Sequence, residues 1–318
     1  MSAESTVAQG SAAEDVQRER EIENPRDFLW ALPQPILVLG SMTAVAFMVN
    51  NDRVNAELFA LVMIMLPIPL LIVAERIWTK RRDWLLTPKE FAEDAFWLAF
   101  AAFVWIPIFS ELYETPISVG FEALRDASPM PVALDSDTPL GLIGCAMLAM
   151  LASSFIYYWL HRVSHESLFF WRMHATHHHI TKMGCLRGDR THPLEWFALM
   201  LSAPVAFAFL GVSNEVLAVV GGFGVWNGTL NHSNLPLKSM PVYDWVCATA
   251  QQHHVHHAHD MRQSNSNYGC NLIIWDRVFG TYCGDPVVTA IGAGTGRPLS
   301  IPEQLALAFY PKKKLVSL

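Results

Sequence analysis

Four long apolar runs, at residues 28–48, 58–74, 91–109 and 139–160, dominate this chain. About 20 apolar residues cross a bilayer as a helix. Inside lipid, a helix satisfies its own backbone polar groups. The chain is therefore expected to be an all-α integral membrane protein, a helical bundle of about four spans. Two shorter apolar runs, 196–210 and 216–226, flank Gly211-Val212-Ser213-Asn214 and read as a short helical hairpin that does not cross fully. Composition agrees. Apolar residues make up 52% and charged residues only 16%, against about a quarter charged in soluble domains. The net charge of -7 gives no sign of nucleic-acid binding. The five cysteines are scattered with no CxxC pair, so neither a disulfide framework nor a thiolate metal site is expected.

Residues 1–26 are polar and lack the apolar core of a signal peptide, so they read as a flexible extension ahead of one membrane domain over 27–318. Asn50-Asn51-Asp52-Arg53 reads as a turn. Lys80-Arg81-Arg82 follows the second span and places its end in the cytoplasm. The N-terminus is then cytoplasmic too, and the loop over 111–137, with six acidic residues and only Arg125 as a base, lies outside. The fourth span returns to the cytoplasm at His161. The hairpin enters and leaves by that same face.

All thirteen histidines fall between His161 and His259, where this topology predicts a cytoplasmic histidine-rich cap over 157–285. His161 and His165 are an i, i+4 pair. His174, His177 and His178 form an HxxHH triplet, and His253, His256 and His257 repeat it. Residues three and four apart share a helix face, so each triplet is expected to send its imidazoles towards one point. Imidazole is the commonest protein ligand for transition metals. Three such groups exceed one mononuclear site and point to a multi-metal centre built from nitrogen ligands. His232, directly after an apolar run, is expected as a further ligand. His179 and His254 turn about 100° away from their triplets and are expected to support ligands or to lie at the surface. His192 and His259 stand evenly between ligand and support. Glu195, Asp189 and Asp276 are candidate carboxylates for accepting the spare ring N–H of a ligand.

These motifs resemble the fatty acid hydroxylase and sterol desaturase superfamily of membrane non-haem di-iron enzymes. Arg190-Thr191-His192-Pro193-Leu194-Glu195 resembles its Arg-x-His-Pro segment, and Asn231-His232-Ser233-Asn234 its His-Ser-Asn segment. Asn267-Tyr268-Gly269 and Trp275-Asp276-Arg277-Val278-Phe279-Gly280-Thr281-Tyr282 resemble its closing segment. The resemblance runs over roughly 90–285. The chain departs from it at His179, where many members carry Ser, and at His254 inside the third box.

The resemblance implies two iron ions, O2 as co-substrate and an external electron donor. The ligand set is then His161, His165, His174, His177, His178, His253, His256 and His257, with His232 as the ninth. Eight or nine imidazoles exceed the four-coordinate habit of zinc, which favours iron. The expected activity is O2-dependent hydroxylation of a lipophilic substrate, a sterol, fatty acyl chain or other lipid. Desaturation of such a chain is the alternative within the class. Electrons would come from a cytochrome b5- or ferredoxin-like protein and its reductase, and membrane lipids would surround the spans.

Two other classes compete. A metal transporter would carry ionisable ligands along a transmembrane path, whereas these spans contain almost none. A non-enzymatic protein with zinc-stapled helices would hold zinc alone and consume no O2. The positions of the histidines at span ends favour a substrate arriving from the bilayer, between the fourth span and the hairpin, past Phe155, Tyr158 and Phe197. Basic residues between the boxes, Arg162, Arg172, Lys182, Arg187 and Arg190, are expected to meet lipid headgroups or to anchor a polar ligand.

Overall fold

A computed structural model describes residues 27–49, 61–63, 65–129, 131–284, 287–316 and 318. The expected extension over 1–26, the turn at 50–53 and the first part of the second span lie outside the described residues. Prolines and polar caps mark where the helices begin. Helix α1 spans Pro33–Val49 and α2 spans Pro67–Ile77, each with proline at its first position, where the missing N–H costs no bond. A long helix α3 spans Pro88–Asp126; its Thr87 cap and Glu90 bond reciprocally. Helix α4, Pro139–Glu166, is capped by Thr138. Then come α5, Leu168–His178, α6, Ser202–Leu210, and α7, Asn214–His232, capped by Ser213. The short helices α8, Ala250–His256, α9, Ile274–Phe279, and α10, Ile301–Ala306, belong to the cap. No strand occurs among the described residues.

Among the described residues, three helices are long and apolar enough to cross a bilayer: Asp27–Val49, Pro88–Asp126 and Pro139–Glu166. The all-α membrane bundle expected from the apolar runs is thus present. Two boundaries differ. The acidic segment expected as a loop continues α3 as helix as far as Asp126, and only the residues after it are irregular. Two five-residue π-helical stretches, Ala101–Trp105 and Ser110–Glu114, each come just ahead of a proline, Pro107 or Pro116. Proline lacks the N–H and crowds the carbonyl four residues back, and widening the preceding turn relieves both.

The hairpin also reaches further than its apolar runs indicated. Its second arm, α7, has 19 residues, about 28 Å at 1.5 Å per residue. Its turn meets the connection between α3 and α4 at the end of the bundle away from the cap. There the Leu134 N–H donates to the Leu210 carbonyl at 3.1 Å, and the Ser213 N–H to the Leu134 carbonyl at 3.1 Å. Gly211 makes this turn with φ 58°; a Cβ there would lie 2.8 Å from the Val132 carbonyl oxygen. Helix α1 packs along α7, and a Cβ on Gly222 would come within 3.0 Å of Val45, so the small residue sets their approach. Val38, Met42, Val45, Leu142, Ala146, Val219 and Phe223 form the centre of the core between α1, α4 and α7.

The start of α1, the ends of α2 and α4, and the start of α3 all meet the cap. Gln34 bonds to Ala248 and Ala250, Glu75 to Cys185 and Asn234, and Asp94 to Arg190. All the histidine-bearing segments therefore lie at one end of the bundle.

Candidate metal centre

The nine imidazoles expected as ligands converge in two adjoining groups. His161, His165, His174, His178 and His256 form one; His177, His232, His253 and His257 form the other. Within each group the candidate ligand atoms lie within 4.8 Å of one another. The division corrects the expectation that each triplet aims at one point. In each HxxHH triplet the i, i+4 pair goes to one group and the i+3 residue to the other. His174 and His178 join the first group and His177 the second; His253 and His257 join the second and His256 the first. On a helix, i+4 lies about 40° from i, whereas i+3 lies about 60° to the other side. The two groups share a wall, where the His178 and His257 rings stack at 4.5 Å.

Backbone and carboxylate acceptors fix how these rings present themselves. His161 Nδ1 donates to the Tyr268 carbonyl at 2.6 Å, and His256 Nδ1 to the Ser266 carbonyl at 2.8 Å. His174 Nδ1 donates to Glu195 Oε1 at 2.5 Å, His165 Nδ1 to Asn265 Oδ1 at 3.2 Å, and His232 Nδ1 to the Gly228 carbonyl at 2.9 Å. A neutral imidazole has one N–H. With that proton committed outward, Nε2 faces inward as a bare lone pair. His161 Nε2 and His174 Nε2, both with their protons turned outward, lie 2.9 Å apart, and His165 Nε2 stays buried without a partner. In the second group His253 Nε2 lies 2.9 Å from His232 Nε2, and its four imidazoles bring one nitrogen each within 4.8 Å of one another. A cation between the rings would take up these inward nitrogens, so the donor set fits metal ions in both groups.

Burial and the neighbouring imidazoles hold His177, His178, His253, His256 and His257 well below the ordinary histidine pKa of 6.5. The rings stay neutral, the form that ligates metal. Glycine lets one loop close over the second group: a Cβ on Gly188 would sit 2.9 Å from His232 Nδ1.

The remaining histidines lie outside both groups. His254 Nε2 donates to the Ser233 carbonyl at 3.1 Å, while Lys80 Nζ lies 3.2 Å from its Nδ1 and Trp84 packs edge-on at 5.6 Å. His192 donates to the Leu305 carbonyl and accepts the Leu194 N–H, capping the turn that presents Glu195. His259 donates to the Gly292 carbonyl at 2.8 Å. His179 ends α5 and is buried, with its pKa pushed down to about 4 by that burial.

Of the three candidate carboxylates, Glu195 touches a ring directly. Asp276 acts one link away: it accepts the Tyr268 and Gly269 N–H groups, each at 2.8 Å, and the Thr281 hydroxyl at 2.7 Å. That holds the loop whose Tyr268 carbonyl bonds His161. Asp189 stands apart from both groups, and burial pushes its carboxyl up to about 6. Arg187 and Arg190 do not reach headgroups. Both are buried against Asp94 of α3, which the sequence reading missed. The three aromatic residues expected along one entry route separate. Phe155 packs on Trp275 and Tyr158 stacks on Phe279, whereas Phe197 packs with Trp105, Phe109 and Tyr113.

Fold and site together define a multi-pass helical membrane protein with paired, imidazole-lined sites that could hold metal at one end of the bundle. Comparison with known proteins bears out the superfamily resemblance: residues 146–281 match the fatty acid hydroxylase family model and are a domain of that kind. Ornithine lipid hydroxylase OlsE of Rhizobium tropici is 30% identical over 152 residues, 48% of this chain and 46% of that protein. Alkylglycerol monooxygenase of Xenopus tropicalis is 33% identical over 136 residues, 42% of this chain and 30% of that protein. Sphinganine C4-monooxygenase 2 of Arabidopsis thaliana is 26% identical over 139 residues, covering 43% and 53%. The chain thus spans about half or less of these relatives' length. No solved structure matches it.

Proposed function

We propose that this protein is a membrane-bound, O2-dependent hydroxylase of a lipid, with one iron ion in each histidine group. One observation carries the reading: nine imidazoles, seven of them buried, bring one nitrogen each to two adjoining points, inside a region that matches the fatty acid hydroxylase family. His161, His165, His174, His178 and His256 would hold one ion, and His177, His232, His253 and His257 the other. Two redox-active ions supply the oxidising power that an unactivated C–H bond requires and no side chain has. The reaction converts C–H, O2, two electrons and two protons into C–OH and water. A cytochrome b5- or ferredoxin-like protein with its reductase supplies the electrons.

The chain's own residues do the rest. Glu195, Asn265 and the carbonyls of Tyr268, Ser266 and Gly228 hold the ring protons outward. Burial keeps bulk water from the imidazoles, which limits escape of reactive species. The apolar span surfaces bring a lipophilic substrate to the site, and relatives named for ornithine lipid, alkylglycerol and sphinganine support a lipid. Lys80, Arg81 and Arg82 at the cap end support a cytoplasmic site.

Lipids extracted from cells with and without the protein, compared by mass, test the reading. The expected result is one lipid class gaining one oxygen, lost in His177→Ala. Loss of two hydrogens instead would mean desaturation. An unchanged lipid profile in cells that make the metal-loaded protein and a suitable reductant would refute the lipid substrate.

A further inference from the structure

A buried amide in the first span joins the two helices that present three of the four histidines of the second group. Gln34 lies one residue into α1 and is 1% exposed. Its Nε2 donates to Asn231 Oδ1 at 2.8 Å, to Asn227 Oδ1 at 3.1 Å and to the Ala248 carbonyl at 3.2 Å. Its Oε1 accepts the Ala250 N–H at 3.1 Å, the first amide of α8. Asn231 directly precedes His232 on α7, and Ala250 begins the helix that carries His253 and His257. Both asparagines in turn donate to the Cys270 carbonyl, at 2.8 Å from Asn231 and 3.3 Å from Asn227, and the Tyr243 hydroxyl donates to Asn227. A primary amide has two N–H donors and one carbonyl acceptor, and here every part is engaged. Both asparagines are fully buried, so a lost partner leaves a desolvated polar group.

From this we infer that Gln34 is a positioning residue for the second metal ion. It sets the separation of α7 and α8, and so the distance of His232 from His253 and His257. Nothing equivalent ties it to the first group. His161 and His165 ride on α4, His174 and His178 on α5; only His256 shares α8. The inference rests on the two-ion reading. It adds that a residue well outside the hydroxylase region governs one of the two sites. Partners that orient metal ligands typically change metal affinity about 10- to 100-fold when removed.

The test uses full-length protein purified in detergent, stripped with chelator and titrated with cobalt(II), read by visible absorption and by metal analysis. Wild type should take two equivalents. Gln34→Leu removes every bond. Gln34→Glu keeps the shape and the acceptor for Ala250 but loses the donors. Both should take the first equivalent normally and bind the second at least about 10-fold more weakly. The spectrum that remains should match that of His232→Ala rather than His161→Ala. Val38→Ala, one turn along α1, removes packing without breaking a hydrogen bond and should keep both equivalents. Variants that bind two equivalents as tightly as wild type would overturn the inference. So would loss of both equivalents together, loss of the folded chain in both Gln34 variants, or the same selective loss in Val38→Ala. A folded wild-type chain that takes fewer than two equivalents would overturn the two-ion reading itself, and this inference with it.

Discussion

Replacing Asp94 with alanine should be among the most damaging single changes outside the histidines. Asp94 is fully buried on α3 and pairs with Arg190, and its other oxygen lies 3.3 Å from Arg187 Nε. The two guanidinium groups are themselves only 4% and 2% exposed. Removing one partner of a buried ion pair strands the other charge and costs about 3–5 kcal/mol. Here two arginines are stranded, but Glu90 lies 3.5 Å from Arg187 and Glu93 3.5 Å from Arg190. These remaining carboxylates place the expected cost near the lower end, about 3 kcal/mol. At roughly 2 °C per kcal/mol for a chain of this size, the midpoint of thermal unfolding in detergent should fall by about 6 °C. Asp94→Ala with Arg190→Leu should recover part of the loss, because an apolar pair needs no desolvation. A midpoint within about 2 °C of wild type, or a double variant worse than the sum of the singles, would show that the pair is not what fastens α3 to the cap.

Four further outcomes follow from the site. Iron-replete protein should contain two irons per chain, about 4–7 Å apart by X-ray absorption; one metal per chain would refute the paired centre. His177→Ala and His256→Ala, one in each group, should each abolish turnover while the chain still inserts, whereas His254→Ala should keep partial activity; complete loss in all three would mean that His254 does more than join Lys80 to Ser233. Glu195→Gln should weaken metal binding about 10-fold or more by loosening His174, checked by competition with a chelator. Metal-free protein should lose stability as pH falls below about 6.5, because unfolded histidines take up protons that the buried His253, His256 and His257 refuse; the loss should continue until their depressed pKa values are reached. Thermal midpoints measured between about pH 8 and 5 that do not move would contradict it.

The nine candidate ligands were legible because helical spacing and span ends leave a visible pattern. The division of each triplet was not, since a 3.6-residue period puts i, i+3 and i+4 on one broad face and only the second helix decides which side each ring takes. Carboxylates next to a motif, such as Glu195, could be picked out. The acceptors for His161, His256 and His232 are backbone carbonyls, which carry no sequence signal. Asp94 and Gln34 were missed for a related reason. Each is a single polar residue in or beside an apolar run, and its meaning lies in partners 96 and 193 or more positions away. The acidic charge of residues 111–137 points to a loop, yet the backbone continues as helix to Asp126.

The partners of Gln34 have a bearing on how the protein is made. Asn227 is synthesised 193 residues after Gln34, and Ala250 216 residues after it. At about 5–20 residues per second, that interval is roughly 10–40 s. Throughout it, the Gln34 amide lacks these partners, and its place at the cap end of the first span leaves it to headgroups and water instead of hydrocarbon, where an unsatisfied polar group costs several kcal/mol. α1 gains its full set of bonds to the cap only when α7 and α8 have been made. Assembly of this membrane domain thus runs out of chain order, with an early helix among the last to be fastened.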